Sequence, residues 1–156
     1  MAREIKFRAK IVMDVEPLAM KRGHWVEGYY YEDLQGGEWC SWIQGCNDIT
    51  HYKVDKNTLG QFTGLLDKNG KEIYEGDILR NDEYPYNCDG VDNYFVEIVW
   101  VDNVCGFYRI THKNPNSTVR GISHGNWSEL DEEDIKSFEV IGNIHDNPEL
   151  LKTEIL

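Results

Sequence analysis

Apolar and polar residues alternate along the first stretch of the chain. Ile5, Phe7, Ala9, Ile11 and Met13 fall on one side, and Glu4, Lys6, Arg8 and Lys10 on the other. A period of two predicts a half-buried strand over 4–13 with a basic outer face. After an irregular stretch around Pro17 comes RGHWVEGYYY at 22–31. Gly23 and His24 read as a turn and the aromatic run as a strand, with Gly28 marking a bulge or a close approach of another backbone. QGGE at 35–38 predicts a hairpin turn into a strand WCSWIQ at 39–44, and HYKVD at 51–55 is a further short strand followed by a turn. The most organised stretch is QFTGLLDKNGKEIYEGDILR at 61–80. Two apolar-bearing arms flank Asp67-Lys68-Asn69-Gly70, residues suited to a tight turn, and Gly76-Asp77 makes a second corner. Downstream, YFVEIVWV at 94–101 and FYRIT at 107–111 form another hairpin, and FEVIGNI at 138–144 a last strand. Asn147-Pro148-Glu149 opens a short helix, with Asn as N-cap, Pro at the first position and an acid in the first turn. Segments 81–93 and 112–126 read as loops. The acidic run 127–135 reads as a short helix or turn with a solvated face. The fold class is mainly β, antiparallel, with a short C-terminal helix.

Composition narrows the class. The 156 residues, 40% hydrophobic and 12% aromatic, suffice for one domain or two small lobes sharing a core. No apolar run is long enough to span a membrane. MAREIKFRAK has no apolar stretch behind its charges, so no secretory leader is expected. Cys40, Cys46, Cys88 and Cys105 are then expected as free thiols in a cytoplasm. The net charge of −12 repels polyanions, which disfavours nucleic acid and anionic membranes as partners.

No chemical motif emerges. His24, His51, His112, His124 and His145 are scattered without an HExxH spacing. Cys40, Cys46 and His51 are near in sequence but not at zinc-finger spacing. Asp82, Glu83, Asp89 and Asp92 lack the ligand spacing of a calcium loop. There is no nucleophile elbow, phosphate loop or dinucleotide fingerprint. No catalytic residue, metal site or cofactor is expected. What stands out is surface. The row Lys6, Arg8, Lys10 would suit a phosphate backbone, or more simply a solvated strand face. The aromatic strands would suit base stacking, cross-strand packing or a protein contact. The candidate interaction surface is therefore Lys6, Arg8, Trp25, Tyr29, Trp39 and Trp42.

GQFTGLLDKNGKEIYEGDIL at 60–79 resembles the signature of the YopX-like family of bacteriophage and prophage proteins. REIKFRAK at 3–10, HWVEGYY at 24–30 and EVIGNIHDNPELL at 139–151 are similar to its opening strand, second block and closing strand and helix. The opening strand departs at Lys10-Ile11, where the family tends to have Trp-Asp, and the loop 81–93 is long. The resemblance implies a β-rich N-terminal lobe over 1–60 and, over 61–156, an SH3-like barrel lobe with a C-terminal helix, the two sharing a core. It also implies a protein of unknown function made in the cytoplasm of a bacterial host, and it carries over no catalytic residues. With the residue reading, the expectation is a non-enzymatic protein-interaction or self-assembling module. Its partner is expected to be a second copy or a host or phage protein. Alternatives are a nucleic-acid-binding accessory protein and an enzyme without a recognisable motif.

Overall fold

The computed structural model describes residues 4–47, 49–82, 94–113 and 127–151. The chain is mainly antiparallel β and divides into two compact units, Met1–Phe62 and Thr63–Leu156.

The first unit holds β1 (Phe7–Lys10), β2 (Trp25–Gln35), β3 (Glu38–Gly45), β4 (His51–Lys53) and the start of β5 (Gly60–Leu66). Its strands lie in the order β4-β3-β2-β1-β5. The sheet curls enough for Ile11, just past β1, to bridge Val54, just past β4. Two further bonds hold that join, Val12 N–H to Lys53 C=O at 3.0 Å and Asp55 N–H to Lys10 C=O at 2.8 Å. The enclosed face carries Ala9, Ile11, Val26, Ile43, Tyr52 and Val54. At its centre Gly28 lies between Phe7 of β1 and Gly45 of β3. The β2–β3 turn is two residues, Gly36 and Gly37, with φ of 61° and 88°. Two consecutive positive φ values are the two-residue hairpin geometry that only small or Asx residues adopt cheaply.

The second unit continues from β5 through β6 (Glu72–Tyr74), β7 (Asp77–Asn81), β8 (Tyr94–Val101), β9 (Gly106–Lys113), β10 (Trp127–Glu129), helix α1 (Glu132–Ile135) and β11 (Glu139–Asn143). Five of these strands form an antiparallel sheet ordered β10-β9-β8-β7-β11. No closed barrel is found among the described residues. Ile73, Leu79, Val96, Ile98, Ile135, Phe138 and Val140 make the core.

The 67–70 turn organises this unit. The Asp67 carboxylate is buried yet fully used: Oδ1 accepts the N–H groups of Asn69 at 2.8 Å and Lys71 at 2.9 Å, and Oδ2 accepts that of Val140 at 2.9 Å. Lys68 N–H donates to Phe138 C=O at 2.8 Å, so two consecutive turn residues are bonded to β11 and to the residue just before it. The next corner follows the same device, the buried Asp77 carboxylate accepting Tyr74 N–H at 2.8 Å. Gly76 then donates to Ile98 C=O and accepts from Ile144 N–H.

The structure corrects two readings. Residues 127–129 of the acidic run form strand β10 against β9 rather than a turn, and Ile135 at the end of α1 is buried in the core rather than on a solvated face. The last described element is a 3-10 turn, Pro148–Leu151. There the Asn147 side-chain oxygen accepts Asn143 N–H at 3.3 Å instead of capping the turn that follows. Asp131 does cap α1, taking the N–H groups of Glu133 and Asp134 at 2.9 and 3.2 Å. Asp131→Ala should cost about 1 kcal/mol, read as a lower urea midpoint at unchanged slope.

Candidate interaction surface

Side chains directly opposite across an antiparallel ladder share a face, and alternate residues along a strand return to it. Register therefore groups Arg8 with Glu27, Lys10 with Trp25, Tyr29 with Gln44 and His51, and Tyr31 with Trp42 and Lys53, all on one face. Trp39 pairs with Leu34 on the opposite face. Of the six residues singled out from sequence, Arg8, Trp25, Tyr29 and Trp42 thus lie together and Trp39 lies across the sheet from them.

Lys6, which simple alternation turns outward, is buried, with its ammonium 4.9 Å from the centre of the Phe62 ring and 3.8 Å from Glu4. Arg8 and Lys10 do not present a bare basic row either. The guanidinium of Arg8 lies 4.9 Å and the ammonium of Lys10 5.3 Å from the Trp25 ring centre. Trp25 is half-buried beneath these two cations, and each such contact stabilises by about 0.5–1 kcal/mol at an exposed site. Trp42 is also half-buried, and its indole N–H, shielded from solvent, has no acceptor among the described residues. It is held by packing.

The accessible apolar groups are on both faces of the hairpin. Tyr29, 54% exposed, and Tyr31 lie on the face of Trp25 and Trp42, while Leu34, 54% exposed, and Trp39, 71%, lie on the opposite one. Tyr31 is oriented by His51: its hydroxyl lies 2.9 Å from Nδ1 and the rings meet edge to face at 5.7 Å. Beneath Trp39 is an open depression of about 570 Å³ lined by Glu32, Glu38, Cys40, Asp55 and Lys56 among others. A polar network forms one wall. Lys56 Nζ donates to Glu32 at 2.6 Å, Tyr30 O–H donates to the same carboxylate at 2.7 Å, and Tyr30 and Ser41 hydroxyls meet at 3.1 Å. Lys56 and the Tyr30 hydroxyl hold the Glu32 carboxyl below its ordinary range. Burial pushes the Tyr30 phenol up, and the neighbouring Glu32 adds to that.

Sequence separation hid these partners. Tyr31 and His51 are 20 residues apart and Glu32 and Lys56 are 24 apart, joined only by strand register.

The described residues gather no group of three or more His, Cys, Asp or Glu that could hold a metal ion. Cys40 is buried with Sγ 3.9 Å from Glu38 C=O, Cys46 and Cys105 are exposed, and none of the three is in a disulfide. Cys88, and Glu83, Asp89 and Asp92 of the acidic loop, lie outside the described residues. Among those described, no helix is long and apolar enough to cross a membrane.

Residues 20–152 match the family model described as YopX protein. No curated protein matches the chain significantly. Among solved structures, protein EF1440 from Enterococcus faecalis is 23% identical with a TM-score of 0.46, over 97% of this chain and 100% of that one.

Proposed function

This chain belongs to the YopX family, and we propose that it is a non-enzymatic protein-interaction module whose contact surface is the β2–β3 hairpin. One observation carries the reading: Tyr29, Tyr31, Leu34 and Trp39, all exposed, are concentrated on this one hairpin. Scattered exposed apolar residues need no explanation, but large apolar side chains gathered on one hairpin, the tyrosines on one face and Leu34 with Trp39 on the other, are the kind that anchors protein contacts. Aromatic side chains offer large area for little ordering entropy, and the depression under Trp39 provides the adjoining concavity. The cations of the first strand are engaged with Trp25 and Phe62, which leaves little basic surface for a phosphate backbone. The proposal places the protein in the cytoplasm of a bacterium, encoded by a phage or prophage, acting without a cofactor on a second copy or on another protein.

Trp39→Ala tests it. The side chain is 71% exposed, so stability should stay within about 0.5 kcal/mol of wild type. Light scattering and affinity capture from the cells that carry the gene should show the wild-type contact weakened at least tenfold, about 1.4 kcal/mol. A monomeric wild type that captures no protein would sink the reading.

A further inference from the structure

We infer that Asn69 is a modification site: its side chain closes onto the Gly70 nitrogen and the residue converts to isoaspartate, at a rate governed by the Asp67 carboxylate. The site belongs to the second unit and owes nothing to the hairpin surface. Asn69-Gly70 is the one Asn-Gly pair in the sequence, and glycine has no side chain to hinder attack by its own nitrogen. Both residues are exposed, and a Cβ placed on Gly70 would meet nothing within 4 Å, so the tip of the turn is open to water and hydroxide. Among the described residues no hydrogen bond holds the Asn69 carboxamide, whereas its backbone N–H is bonded to Asp67.

The reaction needs only hydroxide and water. The Gly70 nitrogen gives its proton to hydroxide and attacks the side-chain carbonyl carbon of Asn69. A new N–C bond forms, the bond from that carbon to the side-chain nitrogen breaks, and ammonia leaves. Water then opens the cyclic imide at either carbonyl, giving aspartate or, with the main chain rerouted through Cβ, isoaspartate. The fold resists the first step. Gly70 N–H donates to Asp67 C=O at 3.0 Å, and the Asp67 carboxylate fixes the Asn69 and Lys71 N–H groups on either side of it. Attack therefore waits for the turn to open locally. The product then undoes the turn that delayed it. Isoaspartate inserts one methylene into the main chain between the Asn69 and Lys71 N–H groups, which can no longer share Oδ1. The bond from Oδ2 to Val140 N–H loses its anchored carboxylate.

The test holds the full chain in mildly alkaline buffer and reads position 69 by mass spectrometry and by labelling with an isoaspartate-specific methyltransferase. Conversion should be about tenfold slower, or more, in the folded chain than in urea, and hydrogen exchange at the Gly70 amide should be slowed by about the same factor. Asp67→Asn, checked as folded by its amide spectrum, should convert several-fold faster than wild type. Val96→Ala, which thins the core away from the turn, should convert at the wild-type rate. Chains carrying isoaspartate at position 69 should unfold at lower urea than unmodified ones, whereas Asn69→Asp, with an ordinary backbone, should not. Folded chains that never convert, or that convert as fast as in urea, would overturn the inference. So would equal rates in wild type and Asp67→Asn, equal acceleration by Val96→Ala, or unchanged stability after conversion. Should Asp67→Asn fail to fold, exchange at Gly70 in the wild type decides: a rate equal to that of an unstructured chain overturns it.

Discussion

Alanine at position 28 is expected to unfold the N-terminal sheet. A Cβ there would lie 1.8 Å from the Gln44 carbonyl oxygen and 2.7 Å from its carbon. Both are backbone atoms, so no side chain can rotate away. Relief requires β2 and β3 to separate at Gly28, where β1 pairs on the other side, and the ladder that holds the enclosed apolar face would open. The expected loss is about 4 kcal/mol or more, against a total for a domain of about 5–15 kcal/mol. Gly28→Ala should therefore lose the dispersed amide resonances of β1 to β4. A variant with wild-type dispersion and stability within about 1 kcal/mol would mean that the two backbones do not approach as described.

Asp67→Asn has the second-largest expected effect. Asparagine retains one oxygen for the Asn69 and Lys71 N–H groups but turns an NH₂ toward Val140 N–H, replacing a charge-assisted bond by two opposed donors. Bonds to charged groups contribute about 1.5–3 kcal/mol, and an orphaned buried N–H costs about 1–3 kcal/mol, so a loss of about 3 kcal/mol is expected. Acid titration provides an independent signature. Burial alone would raise the Asp67 pKa, but the backbone N–H groups of Val140, Lys71 and Asn69 together outweigh it and hold it below its ordinary value of 3.8. A depressed carboxylate stabilises the fold fully above the ordinary value, and that contribution is lost as pH falls through the depressed one. Wild type and Asp67→Asn should therefore differ most near neutrality and converge in strong acid. A constant difference across the range would assign the loss to packing instead.

These two positions also show what the amino-acid sequence makes legible. The turn at Asp67-Lys68-Asn69-Gly70 and the hairpin at Gly36-Gly37 are readable because turn chemistry is local. A glycine inside an aromatic strand points to a close backbone approach at Gly28 for the same reason. The bond from Asp67 to Val140 spans 73 residues and leaves no local trace. Alternation places Lys6 outside because it knows nothing of Phe62, which β5 brings alongside. Charge density made 127–135 read as solvated, although its first residues pair with β9 and Ile135 fills the core. At the candidate surface, sequence picks out the aromatic strands but not their faces. The half-buried Trp25 and Trp42 and the open Trp39 look alike until register separates them.

The proposed contact through the β2–β3 hairpin can be read by site-specific photo-crosslinking in the cells that carry the gene. A benzophenone amino acid would replace Trp39 in one sample and Val104, 54% exposed in the second unit, in another. A discrete protein adduct from position 39, absent or much weaker from position 104, is the predicted result. Equal adducts from both positions, or none from position 39, would contradict it.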